Sequence, residues 1–125
     1  MRFMMLVIPR GYETATPGTM PDPEGVERMM KYNEALQKAG VLLALDGLHP
    51  PSMGARVSYS GGKATVSDGP FAEAKEIVGG YSVLEFRSHA EAVEEARRLV
   101  ELHQQHWPGW EGAVVVRRIF GADEV

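Results

Sequence analysis

The chain has 125 residues, 44% of them hydrophobic and 24% charged, with a net charge of −4 and no cysteine. That length holds one domain with a core of ordinary size, and the composition is that of a globular chain. Disulfides, thiolate chemistry, cysteine zinc sites and iron–sulfur clusters are excluded, no apolar run nears the ~18–20 residues that cross a bilayer, and no basic stretch with interleaved aromatics supports a nucleic-acid groove.

Residues 3–8 form a short, uninterrupted apolar run closed by Pro9, which predicts a central strand buried on both faces. The run is too short for the core of a secretory signal, and the expected compartment is the cytoplasm. Residues 9–22 carry three prolines and two glycines, predicting a loop long enough to act as a lid as well as a connection. Asp22-Pro23 supplies a cap and a first-turn proline for a helix over residues 23–39, with Val26, Met29, Met30, Asn33 and Leu36 at helical spacing. Core packing is the default for these methionines, an adaptable pocket lining the alternative. Gly40 ends the helix, and residues 41–45 predict a second strand.

Gly61-Gly62 is a two-residue turn that pairs Ser60 with Lys63, Tyr59 with Ala64, Ser58 with Thr65 and Val57 with Val66. The register puts Val57, Tyr59, Ala64 and Val66 on one face, expected to be buried, with the polar partners on a wet face. Residues 77–86 predict a strand entered through Gly79-Gly80, a pair that marks a bulge or a close approach to the backbone. Ser88-His89-Ala90-Glu91 is a capping box opening a helix whose apolar positions are Val93, Ala96, Leu99, Val100 and His103. Trp107-Pro108-Gly109-Trp110 breaks it, the tryptophans sealing the core or a dimer seam, and residues 113–120 predict the last strand. With the hairpin set aside, the order is β-α-β-β-α-β, an α+β, ferredoxin-like arrangement of an antiparallel sheet with two helices on one face. The other face needs a cover, and a second copy packing sheet against sheet supplies it.

Chemistry-bearing residues concentrate in two stretches. Asp68-Gly69-Pro70-Phe71-Ala72-Glu73-Ala74-Lys75-Glu76 places a turn beside four charged side chains, from which Asp68, Glu73 and Lys75 are the candidate catalytic groups, against the plainer reading of a wet turn. Asp46 and His49 stand three residues apart after the second strand, and strand geometry sends them to opposite faces unless the chain turns. His103 and His106 share a helix face, but two imidazoles without a third ligand do not make a zinc site. No metal and no cofactor is expected.

The stretch of residues 68–81, with residues 1–6, Ala39-Gly40-Val41-Leu42, Gly47-Leu48-His49-Pro50 and the helix from Glu91, resembles the YCII-related family in its DGPF-motif branch. The resemblance implies a dimeric α/β barrel and a His–Asp pair in a cleft, with the histidine on the first helix. That helix has no histidine here, and Asp68 is the acidic partner that carries over. In place of the Glu-Val-Arg-Pro of many relatives, the last strand reads Val115-Val116-Arg117-Arg118, which keeps Arg117. The branch is also similar to segments found beside or fused to extracytoplasmic-function sigma factors. The combined expectation is a homodimer with a small-molecule pocket between the sheet and residues 9–22. Asp68, Glu73, Lys75, Asp46, His49, Tyr81 and Arg117 rim it for a small polar or acidic ligand, with acid–base chemistry open. The alternative is a regulatory module that contacts a sigma-factor-type protein through the hairpin and the DGPF rim.

Overall fold

Strand β1 (Arg2–Pro9) pairs antiparallel on both sides, with β5 (Gly80–Glu85) and β6 (Gly112–Arg118), and β2 (Leu42–Gly47) flanks β5, giving the sheet order β2-β5-β1-β6. Helices α1 (Pro23–Lys38) and α2 (His89–His106) provide the two crossovers, and β3 (Ala55–Ser60) with β4 (Lys63–Asp68) forms a separate hairpin. The computed structural model describes residues 1–71 and 76–125. This is the ferredoxin-like α+β arrangement that the order of elements predicts, with the apolar N-terminal run at the centre of the sheet.

Alternation along β1 divides its side chains between two environments. Phe3 and Met5 are buried; Met5, with Val7 beside it, packs with Leu84 of β5, Met29 of α1 and Ala96 and Leu99 of α2, while Phe3 lies near Phe86 and His89. Each large side chain so buried contributes roughly 1.5–3 kcal/mol. Met4, Leu6 and Ile8 face the other way and are only half-buried, as are their neighbours Val83 and Val115. The expectation of burial on both faces therefore fails within one chain, because both helices lie on the same side and, among the described residues, nothing covers the other.

The caps follow the sequence closely. The Asp22 side chain accepts from the Glu24 amide at 3.3 Å, with Pro23 in the first turn. At α2 the Ser88 hydroxyl accepts from the Glu91 amide at 3.2 Å, while the Glu91 carboxylate reaches back to the Arg87 amide, one residue beyond the usual capping box. Two strand boundaries move. β5 starts at Gly80 rather than at residue 77, although Gly79 still bonds to both sides, donating its amide to the Val7 carbonyl (2.8 Å) and accepting from the Leu48 amide (2.9 Å). β6 ends at Arg118, two residues short of the expected end.

The hairpin has the predicted register throughout, with both turn glycines at positive φ (61° and 83°). Its predicted burial is wrong. Val57, Tyr59 and Val66 are 67%, 78% and 70% exposed, so the apolar face is as open as the polar one. The reason is topological: among the described residues the hairpin is a sheet of its own, apart from the four-stranded one, and is held at its base. There the Gly69 amide donates to the Gly54 carbonyl at 2.9 Å, and a Cβ on Gly69 would sit 1.6 Å from the Pro51 carbonyl oxygen. The Arg56 guanidinium lies 4.8 Å from the centre of the Phe71 ring, which ties the hairpin to the turn that follows it.

Helix α1 is fastened chiefly to α2. The Trp107 indole donates to the Asp22 carbonyl at 3.3 Å and lies flush on Gly25, where a Cβ would meet its Nε1 at 2.2 Å. Arg28 donates to the His106 carbonyl at 2.6 Å, and the Tyr32 hydroxyl donates to Glu95. A Gly25→Ala change gains up to ~1 kcal/mol of helix propensity but forces the indole or the helix to move, an overpacking cost of about 1–3 kcal/mol. The overpacking wins: urea denaturation should show a net loss of about 1 kcal/mol or more, whereas Gly18→Ala, where nothing crowds the position but φ is +82°, leaves the Trp107 fluorescence environment unchanged.

Candidate functional site

Between α1, the sheet and the long loop lies a cavity of about 890 Å³. That is within the range of small-molecule sites, roughly 300–1,000 Å³. Met29, Met30, Asn33 and Leu36 line it from α1, Leu45 and Leu48 from β2 and its exit, Met5 and Leu84 from the sheet floor, and Trp107 and Trp110 from beyond α2. Residues Tyr12, Thr19, Met20 and Pro21 bring the long loop into the wall, and the Tyr12 hydroxyl fastens that loop by donating to the Leu48 carbonyl at 2.5 Å. The cavity lies between sheet and loop, with α1 as a third wall and with side chains that are mostly apolar. The methionines of α1 serve core and cavity together: Met29 is buried, whereas Met30 is half exposed.

The candidate residues fall into separate places. His49 lines the cavity, and among the described residues no hydrogen bond joins it to Asp46. Asp46 and Tyr81 lie at the rim, joined by a hydrogen bond of 3.0 Å from the Tyr81 hydroxyl to Asp46 Oδ2, which raises the Tyr81 pKa above the usual phenol value. Their register opposite each other and beside Leu6 turns these two side chains toward the uncovered sheet face. Arg117 is on that same face, opposite Met4 on β1, and does not line the cavity. Asp68 closes β4 at the hairpin base, exposed and outside the cavity wall. Glu73 and Lys75 lie outside the described residues. The rim expected as one ring around one pocket is therefore divided between the two sides of the sheet and the hairpin base.

Sequence reasoning weighs His103 only with His106 as a metal pair and gives Trp107 and Trp110 a sealing role; the structure brings His103, Trp107 and Trp110 together in the wall of the cavity. Their spacing of four and three residues is the available signal, since it stacks them at the end of one helix and its exit. The His103 ring lies 5.3 Å from the Trp107 ring and 5.0 Å from the Trp110 ring, and its Nδ1 is 2.8 Å from the Leu99 carbonyl. A carbonyl only accepts, so Nδ1 carries the proton and the neutral ring leaves its lone pair on Nε2. Three tyrosine hydroxyls around the cavity are already committed, Tyr12 to Leu48, Tyr32 to Glu95 and Tyr81 to Asp46. Burial first, then Glu95, drives the Tyr32 pKa far above the usual range.

Burial also lowers the His103 pKa, helped by the neighbouring His106 and opposed by the bond to Leu99. The unfolded chain then takes up a proton that the folded chain resists. Stability should be greatest above the unfolded imidazole value of roughly 6.5, fall as pH drops through it, and level off below the lowered folded value. Urea midpoints between pH 8 and pH 5 should show this slope in the native chain and a shallower one in His103→Phe.

A match to the YCII-related domain spans residues 1–107. The uncharacterized protein R00369 of Rhizobium meliloti (strain 1021) is similar, 38% identical over 77 residues that make up 58% of this chain. The same stretch is 62% of that relative, so the match spans less than two thirds of its length. The domain match takes in β1 through α2, which build most of the cavity and its loop, and the chain accordingly belongs to the YCII-related family.

Proposed function

We propose that this protein binds a small, largely apolar molecule in the cavity between α1 and the sheet. The observation that carries the reading is the cavity itself: about 890 Å³, walled by methionine, leucine and tryptophan side chains, and closed on one side by a loop tied down through Tyr12. The apolar wall shifts the ligand class from the small polar or acidic molecule expected from the charged rim to one with an apolar body and few polar atoms. Acid–base chemistry on a bound molecule falls to the imidazoles of the wall, His49 and His103, rather than to Asp68.

The second sheet face supports a homodimer. Met4, Leu6, Ile8, Val83 and Val115 form a partly exposed apolar stripe, and a second copy packed face to face buries it in the barrel arrangement that the family resemblance implies. Arg117 and the Asp46–Tyr81 pair then lie at or beside that seam. The hairpin favours the regulatory alternative more than its sequence does, because the face of Val57, Tyr59 and Val66, expected to be buried, is exposed. A contact with a sigma-factor-type protein, suggested by the similarity to segments found beside or fused to sigma factors, would use that face.

Toluene serves as the probe for the cavity. It should raise the melting temperature of the native chain in proportion to ligand occupancy, a stabilisation of about 2.7 kcal/mol at a hundred times its Kd. Met30→Trp fills the cavity from a half-exposed position and should weaken binding at least tenfold; equal shifts in both chains, or none in either, overturn the reading. Light scattering of the native chain should report twice the chain mass, and Leu6→Lys with Val83→Lys should return the monomer with its circular dichroism spectrum retained. A native chain that is monomeric and folded removes the dimer.

A further inference from the structure

Within the apolar cavity, His103 offers an acceptor held in a fixed orientation. His103 has its Nδ1–H on the Leu99 carbonyl at 2.8 Å, so Nε2 is a bare acceptor, and no described residue bonds to it. Nor is it sealed inside protein: the buried polar atoms without partners comprise Glu13 Oε2 and not His103 Nε2, while His103 itself lines the cavity wall. The ring is gripped between Trp107 and Trp110 at 5.3 Å and 5.0 Å, which holds its orientation. An acceptor that is fixed, neutral and surrounded by apolar side chains gains most from a ligand that brings its own donor, because water is displaced and the lone pair would otherwise go unmatched.

We infer that His103 selects the ligand of this cavity, accepting through Nε2 a hydrogen bond from a hydroxyl group on an otherwise apolar molecule. The inference rests on the cavity being a ligand site and adds to it the chemistry of recognition. An O–H group on an apolar body occurs in aliphatic alcohols and in phenols, and both present the same donor to the imidazole. The lowered pKa of His103 fits this role, since a protonated ring would donate and would accept nothing. His106 lies one turn along α2, and the other titratable groups lining the cavity are His49, Asp46, Tyr12, Tyr32 and Tyr81, the tyrosine hydroxyls being engaged elsewhere. The Asn33 amide oxygen and the Ser82 hydroxyl are the competing acceptors in the wall, whereas Asp46, at the rim and turned to the other sheet face, already receives the Tyr81 hydroxyl.

Isomeric pairs that differ in the donor test this on the full chain: hexan-1-ol against 1-methoxypentane, and 4-ethylphenol against 4-methylanisole. The native chain should bind the hydroxyl isomer about tenfold more tightly in at least one pair, the value of one well-made hydrogen bond. The pair showing the larger preference tells alcohol from phenol. In His103→Phe the preference should fall to about one while binding of the ethers persists; in Asn33→Leu it should stay. Should His103→Phe not fold, the imidazole ¹⁵N shift of Nε2 in the native chain decides, moving toward the hydrogen-bonded value on adding the hydroxyl isomer and not the ether. Equal affinities within both pairs, an unmoved Nε2, or a preference lost in Asn33→Leu overturns the role of His103 and leaves the cavity standing as a ligand site. Failure of all four probes together with toluene overturns both.

Discussion

Trp107 holds the first helix by its N-terminal turn, and the shape of the protein's interior follows from that grip. Its indole lies on Gly25 and donates to the Asp22 carbonyl, Arg28 reaches across to the carbonyl of His106, and Tyr32 reaches Glu95 further along. All these links run from α1 to α2 or its exit. Helix α2 meets the sheet through Ala96 and Leu99, and α1 joins the same core through Met29, which packs with Met5 and Leu84. Met30, further round α1, is half exposed and lines the pocket beside that core. A small residue at position 25 is the condition for the grip of Trp107, since any Cβ there would displace the indole that fixes the helix.

The sheet separates two kinds of surface. On the helix side lie the cavity, its methionines and the imidazole of His103. On the other side lie a half-exposed apolar stripe, Arg117, and the Asp46–Tyr81 hydrogen bond. Charged and polar groups that look like one site along the chain are thus divided by a single layer of backbone. The two faces differ in chemistry as a result. The helix side is a mostly apolar pocket open to solvent, and the other side is a half-exposed apolar stripe edged by Arg117 and the Asp46–Tyr81 pair.

The hairpin is an addition to the ferredoxin-like core and is stabilised locally. An isolated two-stranded ribbon is marginal in water. Here its base is pinned by the close backbone approach of Gly69 to Pro51, by the Gly69 to Gly54 bond, and by Arg56 over Phe71. With its apolar face uncovered, the ribbon extends the surface of the chain without adding to the core.

Local rules carried much of this structure. The run of residues 3–8 identified the central strand, Asp22-Pro23 and Ser88 marked where both helices begin, and Gly61-Gly62 set every pair in the hairpin, because caps, turns and registers are decided by neighbours in sequence. The element order then restricted the topology to the ferredoxin-like sheet, and the residues after β4 carried the family resemblance. What faced what was another matter. Alternation distinguished two sides of the hairpin without saying that neither would be covered, and helical spacing grouped Met29, Met30 and Leu36 without saying whether they would meet the sheet or stand off from it. Asp46, His49, Asp68 and Arg117 are near one another in type and in expectation, yet the sheet and the hairpin base distribute them. The cavity and the orientation of His103 depend on contacts between residues some eighty positions apart, such as Asp22 with Trp107, and only the tertiary structure brings such partners together.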